Sequence, residues 1–231
     1  MKLRLSSRGN HALTRTDVVV IVFVVVILAT LLIPLLRGAR QGALAINCFS
    51  NLRAVVFSVR IWEGDNNNFY PMAVSVTNGG AMELIVTGNV AACFSVLTNE
   101  LSTPRILVCP ADTEHATATN FETLNNSKIS YFIGIDPTND ANPGAILMGD
   151  DNFEIAGSSV KSGVLPLSAN VPVEWSSGRH VRFWSGFWTP ARTRFKGNIA
   201  FADGSALDES SSGLQEALQE TGLATNRLAI P

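Results

Sequence analysis

Four aspartates, Asp136, Asp140, Asp150 and Asp151, fall within sixteen residues of one another. Carboxylate oxygens are hard ligands, so such a cluster invites calcium. The spacing matches no calcium loop, however, and Asp and Asn are ordinary turn residues. Calcium is carried only as a lesser alternative, and no other cofactor is expected. A second candidate runs from Trp175 to Ala202. It holds no acid, and carries Arg179, Arg182, Arg192, Arg194 and Lys196 among Trp184, Phe187 and Trp188. Interleaved bases and rings suit a single-stranded nucleic acid or a glycan. The plainer reading is an exposed loop with solvated charges and rings packed on a sheet. That reading is preferred, and no nucleic acid is expected. His11, His115 and His180 are scattered, and nothing local arranges a Ser/His/Asp set. No phosphate loop, H-E-x-x-H or G-x-S-x-G occurs. No catalytic site is expected.

One more acid stands apart. Asp17 sits at the mouth of "VVVIVFVVVILATLLIPLL", the 19 uncharged residues from Val18 to Leu36. At about 1.5 Å per residue such a helix nearly matches a hydrocarbon core of roughly 30 Å. Lys2, Arg4, Arg8 and Arg15 lie around its start, which predicts a cytoplasmic N-terminus and an exported remainder. The run exceeds an ordinary signal core of about 7–15 residues, so it is expected to be kept. Pro34 should kink or locally melt the helix. Beyond it, Ala39, Ala43, Ile46, Phe49, Leu52, Val56, Val59 and Trp62 recur every three or four residues, an amphipathic pattern. "GDNNNFYP" from Gly64 then stops it. One long helix, roughly Leu13 to Glu63, is predicted.

The rest reads as an ordinary globular domain. "LVCP", "SYFIGI" and "AILMGD" look like short strands. "NIAFADGS" is a strand running into an Asp-Gly hairpin turn. "AACFSVLTNELS" suggests a short helix. The tail places Leu214, Ala217, Leu218 and Leu223 on one face of a serine-capped helix. The predicted class is α+β, with an antiparallel sheet packed on the outer half of the long helix. A net charge of −2 points to neither nucleic acid nor an acidic substrate. Cys48, Cys93 and Cys109 are odd in number and lack a C-x-x-C, which argues against structural zinc.

The N-terminal features resemble the type IV pilins and type II secretion pseudopilins. "ALTRTD" stands where that family has a small residue, a cleavage point and an acid five residues into the mature chain, and Pro34 falls where many such helices carry proline. The chain departs at Ala12, Leu13, Arg15 and Asp17 from the family's preferred glycine, phenylalanine, uncharged residue and glutamate. "INCFSNLRAVVFSVRIWEGDNNNFYP", "ILVCPAD" and "GNIAFADGSA" resemble a subgroup typical of planctomycete- and verrucomicrobium-like bacteria. That subgroup often has a histidine ten residues before the Asp-Gly, where this chain has Thr193. His180 lies too far upstream by simple alignment.

The resemblance implies a leader over 1–12, a transmembrane half-helix over 13–36, its outer half over 37–63 and an exported domain over 64–231. It implies cleavage between Ala12 and Leu13 by a prepilin peptidase, with N-methylation of Leu13. Asp17 would then pair with a neighbouring subunit's terminal amine during assembly. It further implies a Cys48–Cys109 disulfide, with Cys93 buried and free. The partners would be self, other pilin-like subunits, the peptidase and an inner-membrane assembly platform. The alternative is an uncleaved single-pass protein that binds a glycan or nucleic acid.

Overall fold

A computed structural model describes residues 14–176, 179–184 and 192–231. The chain divides into two compact units, Met1–Arg40 and Gln41–Pro231. The helix α1, Arg15–Asp65, contributes to both and is assigned without a break through position 34. Its stretch Arg15–Ile33 is long and apolar enough to cross a membrane, and none of it is buried. Ala39–Asp65 passes the same test of length and composition, but a third of it is buried. Cys48, Leu52, Val55, Val56, Val59 and Trp62 form its inner face. Ala39, Ala43 and Ile46, expected on that face, are instead exposed, and Cys48 and Val55 take part in it. The true stripe follows the 3.6-residue period more closely than the expected one. After Asp65 the chain turns at Asn67 and Asn68, both at φ 58°. Asn tolerates the left-handed region better than most residues, which is why this sequence can stop a helix so abruptly.

Two short helices follow, α2 (Met82–Ile85) and α3 (Val90–Ser95), the latter capped by the Asn89 side chain accepting from Ala92 N–H. "LVCP" is not a strand. Pro104 opens a 3₁₀ turn over Pro104–Leu107, and the chain runs on to Cys109 unpaired in any sheet. The strands are β1 Tyr131–Gly134, β2 Ile146–Asp150, β3 Phe153–Ile155, β4 Ser158–Ser159, β5 Gly163–Ser168, β6 Val173–Trp175, β7 His180–Trp184, β8 Arg192–Phe201, β9 Ala206–Ser210 and β10 Thr225–Ile230. The helix α4, Ser211–Glu220, lies between β9 and β10 and is capped by Ser210. The last strand was not anticipated from the sequence.

The main sheet has seven strands in the order β5-β10-β1-β2-β8-β7, with β9 also on β8. A small sheet holds β4-β3-β6. Every pairing is antiparallel. The architecture is α+β, an apolar N-terminal helix followed by an antiparallel domain. Strand alternation divides the core in two. Tyr131, Ile133, Leu147 and Ala200 join Leu52, Val56 and Val59 of α1. Phe132, Ile146, Ile199 and Leu228 join Leu214 and Leu218 of α4. Between Ile146 and Met148 the register slips, and Leu147 and Met148 both serve the α1 side. The Asp203-Gly204 turn, with Gly204 at φ 87°, is held to α1. Tyr70 Oη and Arg60 Nη1 both donate to the carbonyl of Ala202, at 2.6 and 2.8 Å.

Candidate functional site

Asp17 belongs to the helix start. Thr14 N–H donates to Asp17 Oδ2 at 2.9 Å, and Asp17 N–H donates to Thr14 Oγ1 at 3.2 Å. That reciprocal pair is a capping box, with Asp in the place more often taken by Glu. The T-x-x-D spacing of Thr14 and Asp17 is the local sign of this box in the sequence. Ala12 and Leu13, the expected processing residues, and His11 lie outside the described residues.

The four clustered aspartates do not converge. Asp136 Oδ1 pairs with Arg227 Nε at 2.7 Å, and Asp140 with Arg60 at 3.3 Å. Asp150 and Asp151 leave the end of β2 for different partners. Each acid meets its own base or amide, so no calcium loop exists among them.

Asp151 joins a polar cluster built around the "CPAD" turn. Asp112 N–H donates to Cys109 O at 2.8 Å, closing the turn. Asp112 Oδ1 accepts from the N–H groups of Glu114 (2.7 Å) and His115 (3.3 Å). This folds the chain back and sets His115 Nδ1 2.8 Å from Asp112 Oδ2. Ser130 Oγ donates to the same oxygen at 2.6 Å. Arg179 completes the group. Its Nη2 lies 2.6 Å from Asp112 Oδ2, its Nη1 donates to Ser130 O at 3.0 Å, and Nη1 also meets Asp151 Oδ1. Expected as a solvated charge, Arg179 is buried, 5% exposed.

Burial alone would raise the Asp112 carboxyl, but His115 and the Arg179 charge outweigh it and hold the group well below its usual range. Burial pushes Asp151 up to about 6 despite Arg179. The hydrogen bond to Asp112 raises His115. Asp112, His115 and Asp151 could hold a metal, since their ligand atoms lie within 4.8 Å of one another. The Arg179 guanidinium already stands among them as the compensating cation, with Nη2 3.3 Å from His115 Nδ1. A metal would have to expel a buried charge, so the residues present do not fit one. Nor is this a Ser/His/Asp relay. The Ser130 hydroxyl and the His115 imidazole both serve the carboxylate, so no base faces a nucleophile. The cluster floors a polar cleft of about 230 Å³ lined also by Asn152, Ser159 and Ser162.

No family model, no curated protein and no solved structure matches the chain. Its site must therefore be read from its own geometry.

Asp150 enters a second, drier cluster. Its Oδ2 accepts from Asn198 N–H at 2.7 Å and Asn198 Nδ2 at 3.0 Å, and lies 3.5 Å from His180 Nδ1. Burial raises the Asp150 carboxyl, with His180 acting against that rise. The far side of the imidazole faces sulfur, with Nε2 3.4 Å from Cys109 Sγ. Cys109 is bonded to Cys48 with a Cα separation of 4.7 Å, inside the usual disulfide range. Cys93 is buried and free. The separation of His180 from the Asp-Gly turn is taken up by the β7–β8 hairpin, which returns His180 opposite Lys196.

The aromatic and basic segment is only partly described. Lys196 pairs with Asp208 at 2.8 Å, and Trp175 is a core residue stacked edge-on to Phe153. Phe187 and Trp188, and the side chains of Arg182, Trp184, Arg192 and Arg194, lie outside the described residues.

Proposed function

We propose that this chain is the precursor of a pilin-like structural subunit, a pseudopilin of a type II secretion or type IV pilus-like fibre, without a catalytic role. The observation that carries the reading is the uncharged, unburied stretch of α1 with Asp17 at its mouth. A basic leader precedes it, and the same helix goes on to form the core of an α+β domain. A membrane aspartyl peptidase cuts between Ala12 and Leu13, and the new amine of Leu13 is methylated. The N-terminus lies in the cytoplasm and the domain in the periplasm. The capping box sharpens the role of Asp17. Oδ2 is used by its own helix, so a neighbouring subunit's amine approaches through Oδ1.

The test is the N-terminal mass of the membrane protein from native cells, with crosslinking of Asp17→Ala and Asp17→Glu beside wild type. A mature chain starting at Leu13 is expected, with oligomers in wild type and Asp17→Glu but not in Asp17→Ala. An intact Met1, or the same oligomer ladder in all three, overturns the reading.

A further inference from the structure

The imidazole of His180 is poorly served in the oxidised protein. The residue is buried, and Nε2 faces a disulfide sulfur, a weak partner for a ring nitrogen. Buried polar atoms normally find a real partner. The arrangement has a better occupant. Cys48 Sγ, Cys109 Sγ and a ring nitrogen of His180 lie within 4.8 Å of one another, and the nitrogen facing Cys109 is Nε2. In tetrahedral zinc, with bonds of about 2.3 Å to sulfur and 2.0–2.1 Å to nitrogen, neighbouring S and N ligands sit roughly 3.6 Å apart. The observed 3.4 Å between Cys109 Sγ and His180 Nε2 is close to that edge. Behind the ring, Asp150 approaches Nδ1, the place where metal-binding histidines keep a carboxylate. Asn198 fixes that carboxylate with two donors.

We propose that, once the Cys48–Cys109 bond is reduced, Cys48, Cys109 and His180 bind a thiophilic divalent cation of the zinc type. A phosphine reductant converts the disulfide to two thiols and becomes phosphine oxide, its oxygen coming from water. Metal binding then releases the two thiol protons, because thiolates are the ligands. The sulfurs part to roughly 3.8 Å, the S–S edge of the same tetrahedron. Water takes the fourth position. Asp150 orients the ring and is a positioning residue, not a ligand. The site and the disulfide exclude each other, so metal would guard the pair against oxidation. The absence of a C-x-x-C does not bear on this site, whose ligands come from α1, the "CPAD" turn and the start of β7.

The experiment uses the full chain in detergent, reduced anaerobically with a phosphine and titrated with cobalt(II). Wild type should develop sulfur-to-cobalt charge-transfer bands with tetrahedral d–d absorption, both displaced by zinc. Without reduction neither should appear. His180→Ala and His180→Gln should each weaken binding at least about tenfold, and Asp150→Asn about 10–100-fold. Cys93→Ser should bind as wild type does. Near-UV circular dichroism should show that reduced wild type stays folded. No thiolate–cobalt bands in reduced wild type, a reduced protein that has unfolded, or equal affinity in the His180 variants would each overturn the proposal.

Discussion

Asp150 and Asp151 are neighbours in sequence and live in different chemistry. Asp150 is buried against Asn198 and His180, whose ring faces the disulfide on its far side. Asp151 borders the open cleft and meets Arg179. Their partners, Arg179 and His180, are neighbours as well. Two adjacent acids at the end of β2 are thus matched by two adjacent bases at the start of β7, with β8 between them. Alternation along an extended chain sends neighbouring side chains to opposite sides, so one pair falls in the dry interior and the other at its rim. The lesson concerns cost. A buried carboxylate is tolerable only with a partner, and removing that partner is far more damaging than the pair is stabilising.

The sharpest way to break the comparison is Arg179→Met. It leaves Asp112 and Asp151 without their shared cation. A loss of about 3–5 kcal/mol in unfolding free energy is expected at pH 7. The loss should shrink as pH falls from 7, because the Asp151 carboxyl, at about 6 with Arg179 in place, takes up a proton more readily without it. Urea unfolding at two pH values measures both. An undiminished loss at low pH would mean that packing, not charge, is what Arg179 supplies.

The dry side should respond differently. Cys48→Ser with Cys109→Ser opens a loop of 61 residues and is expected to cost about 2–4 kcal/mol. No titrating acid is unmasked, so the loss should be nearly flat from pH 5 to 7. A steep pH dependence here would show that the disulfide and the Arg179 cluster are not separable.

Gly197 tests whether both sites hang on one strand. A Cβ there would lie 2.4 Å from the Trp175 ring, within a packed core. Gly197→Ala should cost about 1–3 kcal/mol through overpacking. It should also disturb Arg179 and His180 together, since β8 pairs with β7 beside them. Proton chemical shifts of His115 and His180 would report that disturbance, and a change confined to one of them would count against a common support.

Some of this was legible in the sequence. The long helix, its stop at the asparagines, the strands over Tyr131–Gly134 and Ile146–Asp150 and the Asp-Gly turn all carry local signals that the fold honours. The cysteine pairing came through family resemblance. "LVCP" misled because β-rich composition does not supply a partner strand, and Pro104 sets a turn first. The two clusters were invisible for a deeper reason. Arg179 sits in a basic stretch that composition marks as solvated, and its burial depends on carboxylates brought from the turn at Asp112 and the end of β2. Asp112 and His115 did carry a local sign, a D-x-x-H in a turn, but Asp151 and Ser130 reach it only through the sheet.

The smallest effect should come from His115, at the wet rim. Its folded-state value is raised, chiefly by the bond to Asp112. A raised histidine contributes stability that is complete below its unfolded value of about 6.5 and lost as pH rises through the folded value. Asp151 acts in a lower window. Its value of about 6 lies above the ordinary carboxyl, so stability falls as pH climbs from roughly 4 to 6. Asp112, held low, opposes it near pH 4, where stability is lost as pH falls. Above about pH 7 Asp112 and Asp151 are mostly ionised in either state, and within this cluster His115 is the group left to lose its proton. Wild type should therefore lose a little stability as pH rises above about 7, and His115→Gln should lose less. Because the ring is partly open to solvent, the difference should stay below about 1 kcal/mol. Thermal unfolding at closely spaced pH values can resolve it. A slope that survives undiminished in His115→Gln would show that His115 is not the titrating group.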